Sequence, residues 1–488
     1  MSKEWKEVVL SDVATIDTGF PFKSKFYEEQ GNLRVIRGKN VTEGNCRWGT
    51  DAKFWNHSLD KLGKYKVQLS DIVIGMDGSK IGKNRALVKS GDLPAILAQR
   101  VCRVRANSKS EQKYLWQIIN SNGFENYIDL IKTGTSIPHI SLGQVGKFSF
   151  KIPPLPEQKA IAHILGTLDD KIELNRKTNA TLEAMAQALF KSWFVDFDPV
   201  LDNALAAGNI IPEALQAKAA KRKAVLDRHS ARDAESASIE NGTPLLYTNP
   251  KLAALFPSTF VFNEILEKWI PEGWEVKKIK DVGNVITGKT PSSKTPEHFG
   301  DVYPFVTPTD FKNYFKIVID SQRKLSSLGF ENNRKRVLPK DSVLVTCIGS
   351  DMGKVVMNKV ECMTNQQINS VVPKDDGVSG QYLYHFFNWN YELLRTLAFG
   401  GSTMPILNKS EFEGIDILVP DRLVASEVSR NFRESDEKVL FNLKQTEVLT
   451  KLRDNLLPQL ISGKVRVPGE AIVKVEMLED MKDSMDFL

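Results

Sequence analysis

This chain is poor in the residues that bind metals or build disulfide frameworks. Its 488 residues hold 4 cysteines and 6 histidines. Cys46, Cys102, Cys347 and Cys362 are scattered, with no CxxC pair, so reduced thiols are expected and a zinc site is not. No apolar run is long enough to span a bilayer. The opening MSKEWKEV has no apolar signal core, so the expected location is the cytoplasm, with no membrane partner. HExxH, a Ser/His/Asp order and a paired-carboxylate motif are all missing, as is the Asp/Asn-Pro-Pro-Tyr/Phe tetrapeptide of enzymes that methylate a flipped base. One catalytic pattern is present in full. GNVITGKT, Gly283 to Thr290, matches the phosphate loop GxxxxGK followed by Ser or Thr. A working phosphate loop needs a strand before it and a helix after it. Here Pro291, Ser292 and Ser293 follow, and the residues between the glycines are β-branched, so the segment reads as a strand and the nucleotide site is rejected.

What is present is a repeat. WKEVVLSDVATIDTG (Trp5 to Gly19) returns as WEVKKIKDVGNVITG (Trp274 to Gly288). A β-branched run leads into GSxxGK at Gly78 to Lys83 and again at Gly349 to Lys354. GTSIP (Gly134 to Pro138) matches GSTMP (Gly401 to Pro405). GSxxGK is too short for a phosphate loop and reads as a loop closing a hairpin. A period this long is no solenoid; it implies two complete domains and a pseudo-two-fold plan. Charge is uneven between them. Residues 1–155 carry 24 Lys+Arg against 15 Asp+Glu, a balance of +9, whereas residues 270–420 carry 18 against 17, a balance of +1. The first domain has the balance of a polyanion binder; the second needs a local basic patch such as Arg334, Lys335 and Arg336.

Short alternating runs and one amphipathic stretch, about Lys113 to Lys132, predict a mixed, strand-rich domain over 1–155. A helix follows over 156–196. Ile161, Leu165, Leu168, Ile172, Asn175, Asn179, Leu182, Ala186, Leu189 and Trp193 step by four and three, the seam of a coiled coil. Residues 197–270 read as a connector with an Ala-Lys-Arg helix from about Pro212 to Asp227, whose basic face reads as solvated. The second domain covers 271–420 and a second helix 421–465, with the seam Val428, Phe432, Ser435, Val439, Asn442, Thr446, Leu449, Arg453 and Leu456. Pro458 is expected to kink or stop it. Residues 466–488 read as a frayed acidic tail. At an offset of 267, Asn442 falls on Asn175, and the two are expected to face each other in an antiparallel pair. The fold class is therefore α+β: two α/β domains with strand-rich cores, separated by two long antiparallel helices.

IPPLPEQKAIAHILGTLDDKIELNRKTNATLEAMAQALFKSWFVDF (Ile152 to Phe197) resembles the central region of the specificity subunits of type I restriction–modification enzymes. LRDNLLPQLISGKVRV (Leu452 to Val467) resembles their C-terminal region, and WIPEGWEVKKIKDV (Trp269 to Val282) the start of their second half. The resemblance covers essentially the whole chain and implies two target-recognition domains, each reading half of a split sequence in double-stranded DNA. It also implies docking of two methyltransferase subunits, which bind S-adenosylmethionine, and of a restriction motor-nuclease subunit that uses ATP and Mg2+. This chain itself would hold no cofactor and do no chemistry. One departure is that the second helix opens PDRLVASEVS rather than PLPEQKAIA, so its partner contact is expected to differ. About 32 residues from Ile161 to Trp193 at about 1.5 Å each make roughly 48 Å, or roughly 14 base pairs at about 3.4 Å.

Polar and basic residues in the aligned loops are the candidate DNA contacts. In the first domain they are Arg37, Lys39, Asn40, Ser79, Lys80, Lys83, Gln99, Thr135 and Ser136. In the second they are Thr307, Thr309, Ser350, Lys354, Gln366, Gln367, Ser402 and Thr403. Arg, Asn and Gln suit base edges; Lys and Gly-flanked Ser or Thr suit phosphates. Two other readings compete. A nucleotide hydrolase or methyltransferase hidden in one domain predicts ATP or S-adenosylmethionine binding by the chain alone. A coiled-coil scaffold predicts no salt-dependent affinity for duplex DNA.

Overall fold

The computed structural model describes residues 5–134, 138–233, 250–374, 378–399 and 405–485. These fall into two compact units, Met1–Asn175 with Lys444–Leu488, and Arg176–Leu443.

Each unit contains one copy of the repeat, and the two copies have the same sheet. In the first the strand order is Ala14–Thr18, Val101–Ala106, Ile72–Gly75, Arg85–Leu87, Glu43–Gly44. In the second it is Gly283–Thr287, Ile368–Pro373, Val343–Thr346, Val355–Asn358, Ile317–Val318. In both, the first three pairings are antiparallel and the last is parallel. The β-branched runs supply the central strands. Ile72, Val73 and Ile74, and likewise Val343, Leu344 and Val345, are wholly buried, each stabilising the fold by roughly 1.5–3 kcal/mol over an exposed position. A parallel pair outside the five-stranded sheet recurs in each domain: Arg34–Ile36 with Ala95–Leu97 stands alone, whereas Tyr303–Val306 with Met363–Thr364 is extended to four strands by Arg323–Leu325 and Phe299–Gly300. The first and last strands of each domain pair antiparallel, Lys6–Val9 with Ser149–Ile152 and Glu275–Lys278 with Asp416–Val419. Each domain therefore ends where it began, and its last strand hands the chain to a long helix.

Those helices are Leu155–Phe190, continued by a π-helical turn over Lys191–Val195, and Arg422–Ile461. They run antiparallel in both units. In the first, Arg453 Nη1 lies 3.0 Å from Asp169 Oδ1, and the Asn175 amide donates to Gln445 Oε1 (3.0 Å) and Thr446 Oγ1 (3.3 Å). In the second, the Asn442 amide donates to Asn179 Oδ1 at 2.8 Å. Asn179 lies one turn beyond Asn175, the residue expected to face Asn442. Ile161, Leu165, Ile172, Val428, Phe432 and Val439 are buried, and Leu168, Leu182, Leu189, Leu449 and Leu456 are half-buried. Pro458 sits inside the second helix, which ends three residues later at Ile461, with Gly463 at φ +72° beyond it.

The PLPEQ motif has an internal role. Glu157 and Gln158 are buried. Glu157 takes a bidentate contact from Arg466 (2.7 and 2.8 Å) and a hydrogen bond from the Trp5 indole (3.2 Å). Gln158 accepts from Glu111 N and donates to the Lys109 and Pro153 carbonyls. The motif thus ties the start of the first helix to the chain's N- and C-terminal segments. At the offset of 267 the second helix has Val424 and Ala425 instead, both buried, so its apolar start follows from packing against its own domain.

Three expectations are corrected. The stretch 113–132 is two helices, Gln112–Ile119 and Asn122–Ile131, because Ser121 turns the chain: its hydroxyl oxygen accepts from Phe124 N at 3.4 Å as an N-cap. The basic helix of the connector runs further than expected, over Glu213–Asp233, and two of its cations are paired, Lys218 with Asp196 and Arg222 with Asp202. The described part of the acidic tail is not frayed: Gly469–Met485 is a helix, with Val467 and Val475 buried in the core of the first unit.

The repeated Thr-Gly explains itself by close approach. A Cβ on Gly19 would stand 2.2 Å from the Leu97 carbonyl oxygen, and one on Gly288 2.2 Å from that of Asn365. Gly19→Ala and Gly288→Ala are each expected to destabilise their domain by roughly 2–3 kcal/mol, measured by urea denaturation. Gly91→Ala, where a Cβ meets nothing within 4 Å, is the control that leaves the midpoint in place.

Candidate nucleic-acid interface

In each domain four loops leave the same end of the strands and are tied together by backbone hydrogen bonds that correspond pair by pair. Gly78 N donates to Pro138 O (3.1 Å), and Gly349 N to Pro405 O (3.2 Å). Ile140 N donates to Met76 O (3.0 Å), and Leu407 N to Cys347 O (2.9 Å). Met76 N donates to Arg100 O (2.9 Å), and Cys347 N to Gln367 O (2.7 Å). Ala98 N donates to Ile36 O (2.9 Å), and Asn365 N to Val306 O (3.2 Å). The backbone donors and acceptors of these loops thus serve one another, and their side chains are left for solvent or a ligand.

The GSxxGK segments are the hairpin loops between the strands Ile72–Gly75 and Arg85–Leu87 and between Val343–Thr346 and Val355–Asn358. Their glycines are demanded by backbone shape. Gly78 and Gly82 have φ +103° and +84°, Gly349 and Gly353 +92° and +86°, a region that strains other residues. The second glycine of each also meets a following helix; a Cβ would touch Ile128 in one copy and Tyr391 in the other at 2.9 Å. GNVITGKT is a strand, Gly283–Thr287, with a loop after it and no helix at its end.

The first parallel pair leads into a second repeated device. After Ile36, Asn40 turns back and its Oδ1 accepts from Arg37 N at 3.2 Å. After Val306, Asp310 does the same, its Oδ2 accepting from Thr307 N at 2.8 Å. Asn40 and Asp310 are both buried. Asn40 therefore leaves the set of candidate DNA contacts: its amide is used inside, bonded also to Arg37 Nε (3.1 Å) and Arg47 O (3.1 Å).

The other candidates divide as follows. Lys39, Ser79, Lys80, Lys83 and Gln99 are exposed, as are Thr309, Ser350 and Gln366; Arg37, Thr307, Lys354 and Gln367 are half-buried. Thr135, Ser136, Ser402 and Thr403 lie outside the described residues. Most of the cations are held by acids. Lys39 meets Asp51 at 2.6 Å, Lys80 meets Glu43 at 3.1 Å, Lys83 meets Glu125 at 3.0 Å and Lys354 meets Asp351 at 2.6 Å. The Lys39 hydrogen bond holds the Asp51 carboxyl below its ordinary range, and the Lys354 bond does the same for Asp351. Arg37 donates to the Asp51 carbonyl and lies over the Tyr27 ring at 5.6 Å; partial burial lowers its pKa from the ordinary arginine value. Gln366 Oε1 accepts from Thr290 Oγ1 at 2.9 Å, and Gln367 Oε1 from the Asn365 amide at 2.9 Å.

Two cations belong to these corners that loop alignment by residue type passed over. Arg100, adjacent to Gln99, is 69% exposed and meets Asp77 of the hairpin loop at 2.9 Å. Its backbone sits at φ +67°, held there by the bond from Met76. Lys312, two residues past Asp310, reaches Asp351 at 3.8 Å. At the offset of 267 Arg100 corresponds to Gln367, and that correspondence is the signal that would have found it.

Among the described residues no group of three or more His, Cys, Asp or Glu is placed to hold a metal ion, and no helix is long and apolar enough to cross a membrane. Burial pushes the thiol of Cys46, the half-buried one of the four, up to about 12.

A family model described as the type I restriction modification DNA specificity domain matches residues 2–184 and again 271–423. The chain belongs to the type I restriction–modification specificity-subunit family. The two matched spans take in both copies of the repeat, and the family makes this a subunit with two target-recognition domains, a recognition component and not the enzyme of such a system. The HindI specificity subunit of Haemophilus influenzae is 34% identical over 491 residues, covering 95% of this chain and 100% of that protein. The MjaIX specificity subunit of Methanocaldococcus jannaschii is 24% identical, covering 73% of this chain and 69% of that one. The crystal structure of a type I specificity subunit from M. genitalium has the same fold, with a TM-score of 0.58 at 14% identity over 94% of this chain and 96% of that one.

The corner geometry separates two kinds of substitution. Lys39→Ala, Lys80→Ala and Lys312→Ala should each weaken duplex binding about equally on all sequences. Each should also reduce the slope of log K against log salt by about 0.9 for every phosphate it ceases to neutralise; fluorescence anisotropy across a salt series reads both. Asn40→Ala should instead lower stability by about 1–2 kcal/mol, since it removes a buried turn-forming amide, with thermal unfolding as the measure.

Proposed function

We propose that this subunit reads a bipartite sequence in double-stranded DNA, each target-recognition domain contacting one half-site through its tied loop corner, with an unread spacer between. The observation that carries this reading is the repetition of the corner itself: the same four backbone bonds, the same paired glycines and the same capping turn occur once in each unit. Loops pinned in this way present side chains at fixed positions, as direct readout of base edges requires. Arg37, Gln99 and Arg100 in the first domain, and Gln366 and Gln367 in the second, are the base-reading candidates; Lys39, Lys80 and Lys312 are the phosphate candidates. Their ion pairs are exposed and so worth little in water, and phosphate can replace the acid partner of each. The richer positive balance of the first domain makes it the stronger contributor to non-specific affinity.

The chain supplies recognition, and the chemistry comes from partners. Two methyltransferase subunits carrying S-adenosylmethionine would dock on it, and a motor-nuclease subunit using ATP and Mg2+ would join them. The long helices serve as the ruler. A helix of 36 residues is about 54 Å long, and its length sets how many base pairs are skipped.

Two experiments test this. Exchanging residues 1–150 for the first domain of another family member should change one half of the methylated sequence and leave the other; simultaneous change of both halves contradicts the two-reader scheme. Inserting four residues near the middle of the first helix adds about 6 Å. It should lengthen the skipped segment by one to two base pairs or abolish activity through seam mismatch, and unchanged spacing at full activity contradicts the ruler.

A further inference from the structure

The second unit contains a buried charge cluster that spans three elements. Lys316, which precedes the edge strand Ile317–Val318 of the second target-recognition domain, is 2% exposed in its side chain. Its Nζ lies 2.7 Å from Asp436 Oδ1 on the second long helix and 3.0 Å from Glu183 Oε2 on the first. The Asp436 side chain is wholly buried and that of Glu183 is 9% exposed. The Tyr384 hydroxyl donates to Glu183 Oε1 at 3.1 Å, and the Lys316 ammonium lies 4.6 Å from the centroid of the Tyr384 ring. The backbone of Lys316 is anchored as well, its carbonyl accepting from Met357 N at 2.9 Å. Next to Tyr384, His385 packs between Phe190 of the first helix and Phe432 of the second. Burial, with the Lys316 charge beside it, holds its imidazole well below the ordinary histidine range, so it adds no second cation.

A lone ammonium between two carboxylates in an apolar setting is a demanding arrangement. Moving the Lys316 ammonium away leaves two buried carboxylates uncompensated, which is far more costly than loss of a surface pair. The arrangement therefore tolerates one relative position of the domain and the two helices. The first unit has no such lock among its described residues. At the offset of 267 Asp436 corresponds to Asp169, which is 30% exposed and is held by Arg453 of the second helix (3.0 Å) and Gln117 of the first domain (3.2 Å). The first domain's ion pair to its helix, Lys89 with Glu173 at 3.5 Å, is 45% and 36% exposed and so screened.

We propose that Lys316 is a positioning residue that fixes the second target-recognition domain on the helix pair and thereby sets how strictly the length of the unread DNA spacer is enforced. This rests on the bipartite reading above but is separable from it, because the fixing is measurable without DNA.

The test uses the full chain in two measurements. Spin labels at Glu331→Cys in the domain and Lys438→Cys on the second helix, in a Cys46→Ser background, report the distance distribution between them. It should be narrow in the parent, broad in Lys316→Met and narrow again in Lys316→Arg. In complex with its methyltransferase subunits, the chain is then assayed for methyl transfer to duplexes carrying the mapped half-sites at the native spacer and at one base pair more or less. Lys316→Met should reduce the preference for the native spacer by about tenfold with both half-sites still required, and Lys316→Arg should keep it. If Lys316→Met does not fold, the combined Lys316→Met, Glu183→Gln, Asp436→Asn variant, which removes every charge at similar volume, takes its place with the same expectation. An equally narrow distribution, or an unchanged spacer preference, in a folded variant overturns the proposal. A parent complex that methylates no split-site duplex would overturn the bipartite reading, while the distance distributions would still decide whether Lys316 fixes the domain.

Discussion

The proposed recognition surface of each domain depends on a short backbone tie: the amide of the first glycine in GSxxGK donating to a proline carbonyl some sixty residues away, Gly78 to Pro138 and Gly349 to Pro405. Only a residue comfortable at positive φ can aim its amide that way, and both glycines are there. Once the tie forms, the neighbouring bonds from Met76 and Ile140, or from Cys347 and Leu407, close a ring of loops over the ends of the buried strands. Those loops carry the polar side chains in which the two copies differ. The five-stranded sheet beneath them is the same in both domains down to strand order and direction, so in the proposed reading differences in recognition come from what projects from the ring.

The free protein keeps most of its corner cations paired with acids of the same corner. Such pairs hold long side chains in place at little energetic gain. In the proposed complex they would also lower non-specific attraction to DNA, since a phosphate would have to displace a carboxylate before the contact forms. Arg37 is restrained further by Asn40, the Asp51 carbonyl and the Tyr27 ring. An arginine whose orientation is settled before binding loses less freedom on meeting a base. In the proposed reading the second domain, near electrical balance, relies more on neutral amides such as Gln366 and Gln367, which would contribute selectivity rather than bulk attraction.

Much of this plan is legible in the sequence because it rests on repetition and periodicity. Two copies at one offset expose the domains, and a four-three step over some four heptads exposes the helices. The decoy at GNVITGKT is recognisable from Pro291 and from the β-branched residues between its glycines. What the sequence hides has a common cause: the answer lies in contacts distant along the chain. Asn40 looks like a base reader, and its burial is visible only with Arg37 and Arg47 folded around it. Glu157 and Gln158 look like a docking motif, and their partners Arg466 and Glu111 lie far along the chain. Ser121 divides an apolar stretch that periodicity alone reads as one helix. The acidic tail hides an apolar face, Val467 and Val475, that matters only against the first domain's core. Lys316 has no distinguishing neighbour in sequence; its two carboxylates come from two different helices.

The central claim is that two rigid corners on one chain read two halves of one DNA sequence at a set separation. Mapping modified bases across the genome of cells that express this chain with its methyltransferase subunits tests it most directly. The account predicts one split motif, two short defined segments flanking an undefined stretch of constant length, modified in both segments. A single continuous motif, or two segments found at varying separations, would contradict it.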